Sequence, residues 1–265
     1  MHKFILLSVA CLFAMCNAGA VLAQASGSAL GVNQGAAATL SQQTRALVVG
    51  ADIFIGDRVQ TDGRGLVQIK FSDQTELTVG PNSALVIDDY LIRGNDSAGK
   101  FAVNALAGTF RFVTGRAPKD RYQINTPTGT IGVRGTEFDF VVTPQLTQVL
   151  VFSGQVRMCN SAGACVDLTD TCQLGSFDLL EALTFGNTDN ITGADRDSLR
   201  QSFIYAVNQG GLLPAFRVQN ALRCTNRPPT QDTASYETVL GEDNGEEDGY
   251  NDDDYWYDCG EGGCR

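Results

Sequence analysis

The sequence is almost without histidine. Its single one, His2, stands at the extreme N-terminus of 265 residues, so a chain that loses its first segment has none. That absence excludes Ser–His and Cys–His nucleophile pairs and every histidine-containing metal site. Positive charge is scarce too: 19 Lys and Arg against 30 Asp and Glu give a net charge of −11. Glu237 to Arg265 hold eleven acids and one base, so this tail carries −10 and everything before it −1. A nearly neutral body with an acidic tail lacks the clustered Lys and Arg that phosphate backbones require, which argues against nucleic-acid binding. Long apolar runs are also missing. The one at the start, Phe4 to about Cys16, falls short of the roughly 20 residues that span a bilayer.

That first run has the parts of an export leader. Met1-His2-Lys3 is a short basic start, the apolar stretch follows, and small residues lead to Ala23-Gln24-Ala25, an A-x-A site. The expectation is a signal peptide over residues 1–25, cleaved after Ala25. An uncleaved anchor and a lipoprotein are the alternatives, but Met15 before Cys16 is too large for a lipobox. Removing the leader takes two of the eight cysteines and leaves Cys159, Cys165, Cys172, Cys224, Cys259 and Cys264. An even count in an exported chain suggests disulfides, with fifteen pairings open. Nearness favours Cys159–Cys165 across Ser161-Ala162-Gly163 and Cys259–Cys264 across Gly260-Glu261-Gly262-Gly263, which leaves Cys172–Cys224. A metal site is the weaker reading, because no Cys-x-x-Cys spacing occurs; no metal and no cofactor are expected.

From Leu47 to Met158 short runs alternate apolar and polar residues. Val67, Ile69 and Phe71 share one face, as do Leu77 and Val79; Ala84–Ile87, Thr109–Val113, Glu137–Val142 and Gln148–Phe152 read the same way. The breaks are turn formers such as Asp62-Gly63, Gly80-Pro81-Asn82-Ser83, Gly94-Asn95-Asp96 and Ser153-Gly154. Strands at such spacing without helical spacers imply a mainly β domain. Helical periodicity comes late: Leu199, Phe203 and Val207 fall four apart within 195–208, Gly210-Gly211 stops the run, and Pro214 opens a second short helix through Val218 and Leu222. Pro228-Pro229 leads into the acidic tail, too poor in aliphatic residues to fold alone.

Two blocks are more specific than a generic sheet. One is Gly56-Asp57-Arg58-Val59-Gln60-Thr61, followed by Gly65–Asp73 and Leu77-Thr78-Val79-Gly80-Pro81-Asn82-Ser83. The other is Thr126-Pro127-Thr128-Gly129-Thr130-Ile131-Gly132-Val133-Arg134-Gly135-Thr136-Glu137-Phe138, with Gly108–Phe112 and Ser153-Gly154-Gln155-Val156 around it. Together they resemble the FecR domain family over about residues 47–175. One departure is Gln74, where the family usually has Gly, which implies a changed turn. The resemblance implies a twisted, solenoid-like β domain with an extracytoplasmic interaction role. In the founding members the domain receives a signal from an outer-membrane receptor, and a cytoplasmic segment controls a sigma factor. Here a secretion leader is expected in place of that segment and its membrane helix, so a free-standing exported protein is expected. The organisation expected is a FecR-like β domain over 26–175, a helical extension over 176–227 and a disordered acidic tail over 228–265.

The residues singled out as structural or interaction positions are Gly56, Asp57, Thr61, Pro81, Ser83, Thr126, Pro127, Val133, Arg134, Gly135, Thr136, Phe138 and Gly154. Arg134 is read as a buried cation that ties strands through backbone carbonyls, with a carboxylate ligand as the alternative. Gly132 and Gly135 are read as permitting tight turns or close packing. Asp57, Asp73, Asp88 and Asp89 are read as turn formers rather than an acid/base pair. In the tail, Asp252-Asp253-Asp254 with Glu246, Glu247 and Asp248 suggest weak Ca²⁺ binding, although the order of an EF-hand loop is missing. Tyr250, Tyr255, Trp256 and Tyr257 suggest a docking peptide, against a solubilising tail. The function expected is a non-catalytic periplasmic or secreted interaction or signalling module whose partner is an unidentified envelope or surface protein. A carboxylate-dependent enzyme on an envelope polymer and a membrane-retained envelope sensor are the alternatives.

Overall fold

Alternating side chains become strands almost everywhere that the alternation was legible, and in some places where it was not. The computed structural model describes residues 25–92, 98–188 and 193–225. Most of the expected leader, the Gly94–Asp96 turn, the tail and the Cys259–Cys264 pair lie outside the described residues. Fifteen strands occur among those described: β1 (Ala25–Asn33), β2 (Ala36–Leu40), β3 (Gln43–Ala46), β4 (Asp52–Phe54), β5 (Arg58–Thr61), β6 (Leu66–Phe71), β7 (Glu76–Val79), β8 (Ala84–Ile92), β9 (Ala98–Val113), β10 (Tyr122–Thr126), β11 (Gly129–Val142), β12 (Thr147–Asn160), β13 (Cys165–Leu168), β14 (Gln173–Phe177) and β15 (Ala182–Asn187). The first three precede the region where strands were expected. They are rich in Ala, Gly, Ser and Thr, so alternation of size is weak there.

The strands form one continuous sheet that is not closed. All pairings are antiparallel except β9–β10. The sheet doubles over itself. One layer runs β4-β1-β6-β7-β9-β11-β12-β14-β15, the other β3-β2-β5-β8-β9-β10-β11-β12-β13, and the long strands β9, β11 and β12 belong to both. Each crosses between layers at a glycine with positive φ: Gly108 (+116°), Gly135 (+66°) and Gly154 (+82°). The bends demand glycine for a second reason. A Cβ on Gly154 would stand 2.0 Å from the Gly135 carbonyl oxygen, and one on Gly108 would stand 2.0 Å from Ser83 Oγ.

Between the layers lies the main core, including Val67, Ile69, Phe71, Leu77, Leu85, Ile87, Phe101, Phe110, Phe112, Ile124, Phe138, Phe140, Val149 and Val151. Rings meet within it: Phe71 and Phe101 edge to face at 4.9 Å, and Phe110 stacked on Phe140 at 4.8 Å. Each such pair adds about 0.5–1.5 kcal/mol beyond its buried area.

The late helical signal corresponds to α1 (Gly193–Ser202), α2 (Ile204–Val207), a 3-10 turn (Pro214–Phe216) and α3 (Ala221–Cys224). The single helix expected over 195–208 breaks at Phe203, whose φ and ψ of −99° and 66° let it turn into the sheet. Pro214 opens three residues of 3-10 helix, not a helix through Leu222, because Arg217 returns to extended backbone. These pieces bury Leu199, Phe203, Ala206, Val218, Ala221 and Cys224 against Leu150, Phe152 and Leu174 of the first layer's outer face. Burial of each large side chain is worth about 1.5–3 kcal/mol. The sulfurs of Cys172 and Cys224 are at disulfide distance, which ties α3 to the residue before β14, and Cys159 and Cys165 pair across the β12–β13 hairpin.

Candidate functional site

The two motif blocks fold into corners that hold the layers together. Gly56 has φ +87° in the turn before β5. Asp57 is fully buried, and its carboxylate accepts Arg45 Nη1 at 2.7 Å and Phe54 N–H at 2.8 Å. That hydrogen bond is the main reason the Arg45 pKa rises. Thr61 Oγ1 donates to the Gly80 carbonyl at 2.5 Å and accepts Ser83 N–H at 2.9 Å, while Ser83 Oγ accepts Thr109 N–H at 3.0 Å beside the Gly108 bend. Pro81 and Asn82 make the turn between these contacts. In the second block, Thr126, Thr128 and Thr147 link hydroxyls at the β10–β11 turn, where Pro127 is exposed. Val133 and Phe138 are buried core residues. Thr136 is buried, donates to the Gln155 carbonyl at 2.7 Å and fixes the bend formed by Gly135 and Gly154.

Asp73 is buried and accepts Thr75 Oγ1 at 2.7 Å and Tyr122 Oη at 2.9 Å. Burial is the main cause of a raised Tyr122 pKa. Gln74 beside it has φ +72°, so the turn keeps a left-handed residue although glycine is absent. Asp88 is exposed and Asp89's side chain is not among those described. The structure therefore does not bring the four aspartates together, and each buried one is committed to the fold. Among the described residues, no group of three or more His, Cys, Asp or Glu side chains could hold a metal ion.

The buried arginine is a different one from that expected. Arg134 is exposed, and its side chain forms no hydrogen bond or ion pair among the described residues. It lies on the outward face of the second layer because Val133, its neighbour, takes the inward position. Arg111 is the buried cation, 1% exposed, in the first layer. Its Nε and Nη2 bind the two carboxylate oxygens of buried Asp139 at 2.6 and 2.9 Å. Its Nη1 binds Gln209 Oε1, and its guanidinium stands 5.2 Å from the Phe152 ring centre and 5.9 Å from that of Tyr205. Burial raises the pKa of Asp139 while Arg111 opposes it, and burial likewise raises that of Tyr205. Gln209 also accepts Val218 N–H at 2.8 Å, and Leu213 N–H donates to Gln68 Oε1 at 2.7 Å. The helical segment thus seals this face. Alternation along the strand puts Arg111 on the face opposite Phe110 and Phe112. Only its registration beside Asp139, 28 residues away, marks it as buried.

Around Arg134 the second layer stays open. Asp120, Arg134, Gly135, Gly154 and Gln155 line a cavity of about 560 Å³. A second, of about 380 Å³, shares Asp120 and reaches Lys100, Arg121, Gln123, Gly132 and Arg157. Gly132 does not have positive φ, and a Cβ there would meet only the Arg157 carbonyl oxygen at 3.7 Å. The tight packing expected at Gly132 is absent; its missing side chain leaves the groove floor low.

Residues 57–157 match the family model described as FecR protein. The chain carries a FecR domain. The open groove lies within this FecR domain, whereas the helical segment that covers the first layer lies outside the matched residues. No curated protein matches the sequence. Among solved structures, the FecR-containing chain is similar to two crystal structures of a candidate anti-sigma factor from Parabacteroides distasonis. One shares 15% identity at a TM-score of 0.39, covering 49% of this chain and 59% of that one. The other shares 14% at 0.40, covering 54% and 63%. This chain therefore spans less than two thirds of either.

Proposed function

We propose that this chain is a non-catalytic, exported FecR-domain protein that acts as a periplasmic or extracellular protein-interaction or signalling module. The observation that carries the reading is the motif face. The FecR block buries Val133, Thr136 and Phe138 but turns Arg134 outward over an open groove. Cysteine pairs at disulfide distance support an oxidising compartment. No helix among the described residues is long and apolar enough to cross a membrane. In this reading residues 1–25 are a signal peptide, the β domain with a twist like that of a solenoid starts at 26 and runs past the expected boundary at 175 to the end of β15, the chain from there to 227 is its helical extension, and 228–265 an acidic tail.

The test is site-directed photocrosslinking in intact cells with fractionation. A photoreactive residue at Gln155, on the groove, gives a discrete protein adduct in the exported fraction; one at exposed Arg64 gives none. N-terminal sequencing of that fraction reads Ser26. Cytoplasmic material that retains Met1 and yields no adduct would sink the proposal.

A further inference from the structure

The groove on the motif face carries a charge pattern that the fold does not need. The register Tyr122↔Phe101 and Tyr122↔Val133 sets Arg121 between Lys100 on β9 and Arg134 on β11. Arg157 follows on β12, opposite Gly132. Lys100, Arg134 and Arg157 on three strands, with Arg121 at the end of the 3-10 turn Lys119–Arg121 that leads into β10, thus form a row of exposed cations. Like charges placed side by side across strands destabilise a sheet. Among the described residues, the carboxylates that compensate the three arginines are few and loose. Asp120 lies 3.7 Å from Arg121 and Asp167 lies 3.5 Å from Arg157, all well exposed. Exposed pairs of this kind are worth about 0–1 kcal/mol at most. Arg134 has no such partner among the described residues. Three arginines kept side by side with so little compensation, over a floor lowered at Gly132, are a surface built for negative charge.

We infer that this groove docks an acidic peptide segment of a partner protein, laid across β9–β12 with its carboxylates on Arg121, Arg134 and Arg157. The inference rests on the interaction reading above and adds the partner's chemistry. Guanidinium groups match carboxylates two oxygens at a time, which fixes orientation as well as charge. Four strands at about 4.8 Å spacing span about 14 Å, the reach of about four extended residues. A nucleic acid fits less well, because everything before the tail sums to −1, so little basic charge lies beyond this row to follow a polymer with a phosphate about every 1.7 Å of duplex.

The experiment is fluorescence anisotropy of the full oxidised chain with a short labelled peptide alternating Asp and Gly. Binding at low salt should weaken about tenfold or more in the doubly substituted Arg134→Glu, Arg157→Glu chain. It should persist in Arg64→Glu, which changes charge outside the groove. Thermal melts verify that the exposed substitutions leave the fold intact. Equal losses in both chains, or no binding by the wild type, would overturn the inference. So would preference for an oligonucleotide or a uronic-acid polymer over the peptide. A crosslinked protein adduct at Gln155 without peptide binding would leave the interaction reading standing and this inference rejected.

Discussion

The outward faces of the two layers share the long strands β9, β11 and β12, yet one is sealed and the other open. On the first layer Arg111 lies under the helical segment, bound to Asp139 and Gln209 and flanked by Phe152 and Tyr205. On the second, Arg134 stands exposed among other cations. The difference lies in what covers each face. A desolvated guanidinium must have its charge matched and its donors used, whereas an exposed one is left to water or to a ligand. The same residue type is structural under the helices and available for recognition outside them.

The largest effect should come from breaking the sealed pair. Arg111→Met leaves Asp139 buried without its cation and should cost about 3–5 kcal/mol in urea unfolding. Arg134→Met should stay within about 0.5 kcal/mol. If both substitutions cost the same, the contrast between the faces collapses. Adding Asp139→Leu to Arg111→Met should recover much of the loss, since removing both charges leaves neither unpaired.

The tether comes next. Replacing Cys172 and Cys224 by Ser opens a constraint between residues 52 apart and should cost about 2–4 kcal/mol. Limited proteolysis should then cut within 193–225 first. The Cys159–Cys165 pair closes only a short hairpin, separation 6, and its removal should cost less, about 2 kcal/mol. Cleavage that starts in β10–β12 after loss of Cys172–Cys224 would contradict the sealing role of the helices.

Ionisation at the rim of the sealed face gives a smaller effect. Burial raises the Glu137 pKa, Arg111 opposes this, and Glu76 adds to the rise. A raised carboxylate pKa means that the folded state disfavours the charge, so ionised Glu137 reduces stability above its folded pKa. That cost disappears as pH falls below the unfolded value. Glu137→Gln should therefore raise the melting temperature at neutral pH, by less than about 1 kcal/mol in stability, and make no difference in acid. A gain that persists in acid would point to packing instead. Smallest of all, Gln74→Gly should be neutral or stabilise by up to about 1 kcal/mol, because φ +72° strains the glutamine backbone.

Much of the fold was legible because its strands bury one side. Phe110 and Phe112, or Phe138 and Phe140, announce a core face through period two alone. β1 to β3 were not legible, since Ala, Gly, Ser and Thr alternate without contrast. Arg134 was read as buried because its block is so specific; its inward neighbour Val133 already implied the opposite. Arg111 could not be assigned from its own strand, because a polar residue between two phenylalanines normally faces water. The bends at Gly108, Gly135 and Gly154 were visible as glycines, but their joint role required the pairing of β9, β11 and β12.

The sequence by itself determined the β character of residues 47–158, the FecR blocks and the late helical segment, and it favoured the cysteine pairs that the fold brings together. These depend on local periodicity, short motifs and spacing, which a chain carries along its length. Tertiary structure alone decided which outward face was covered. That choice depends on the break at Phe203, on Gln209 reaching Arg111 across 98 residues, and on the registration of Arg111 beside Asp139. Burial of a charge is a property of what stands opposite it, and no residue's own sequence neighbourhood specifies that.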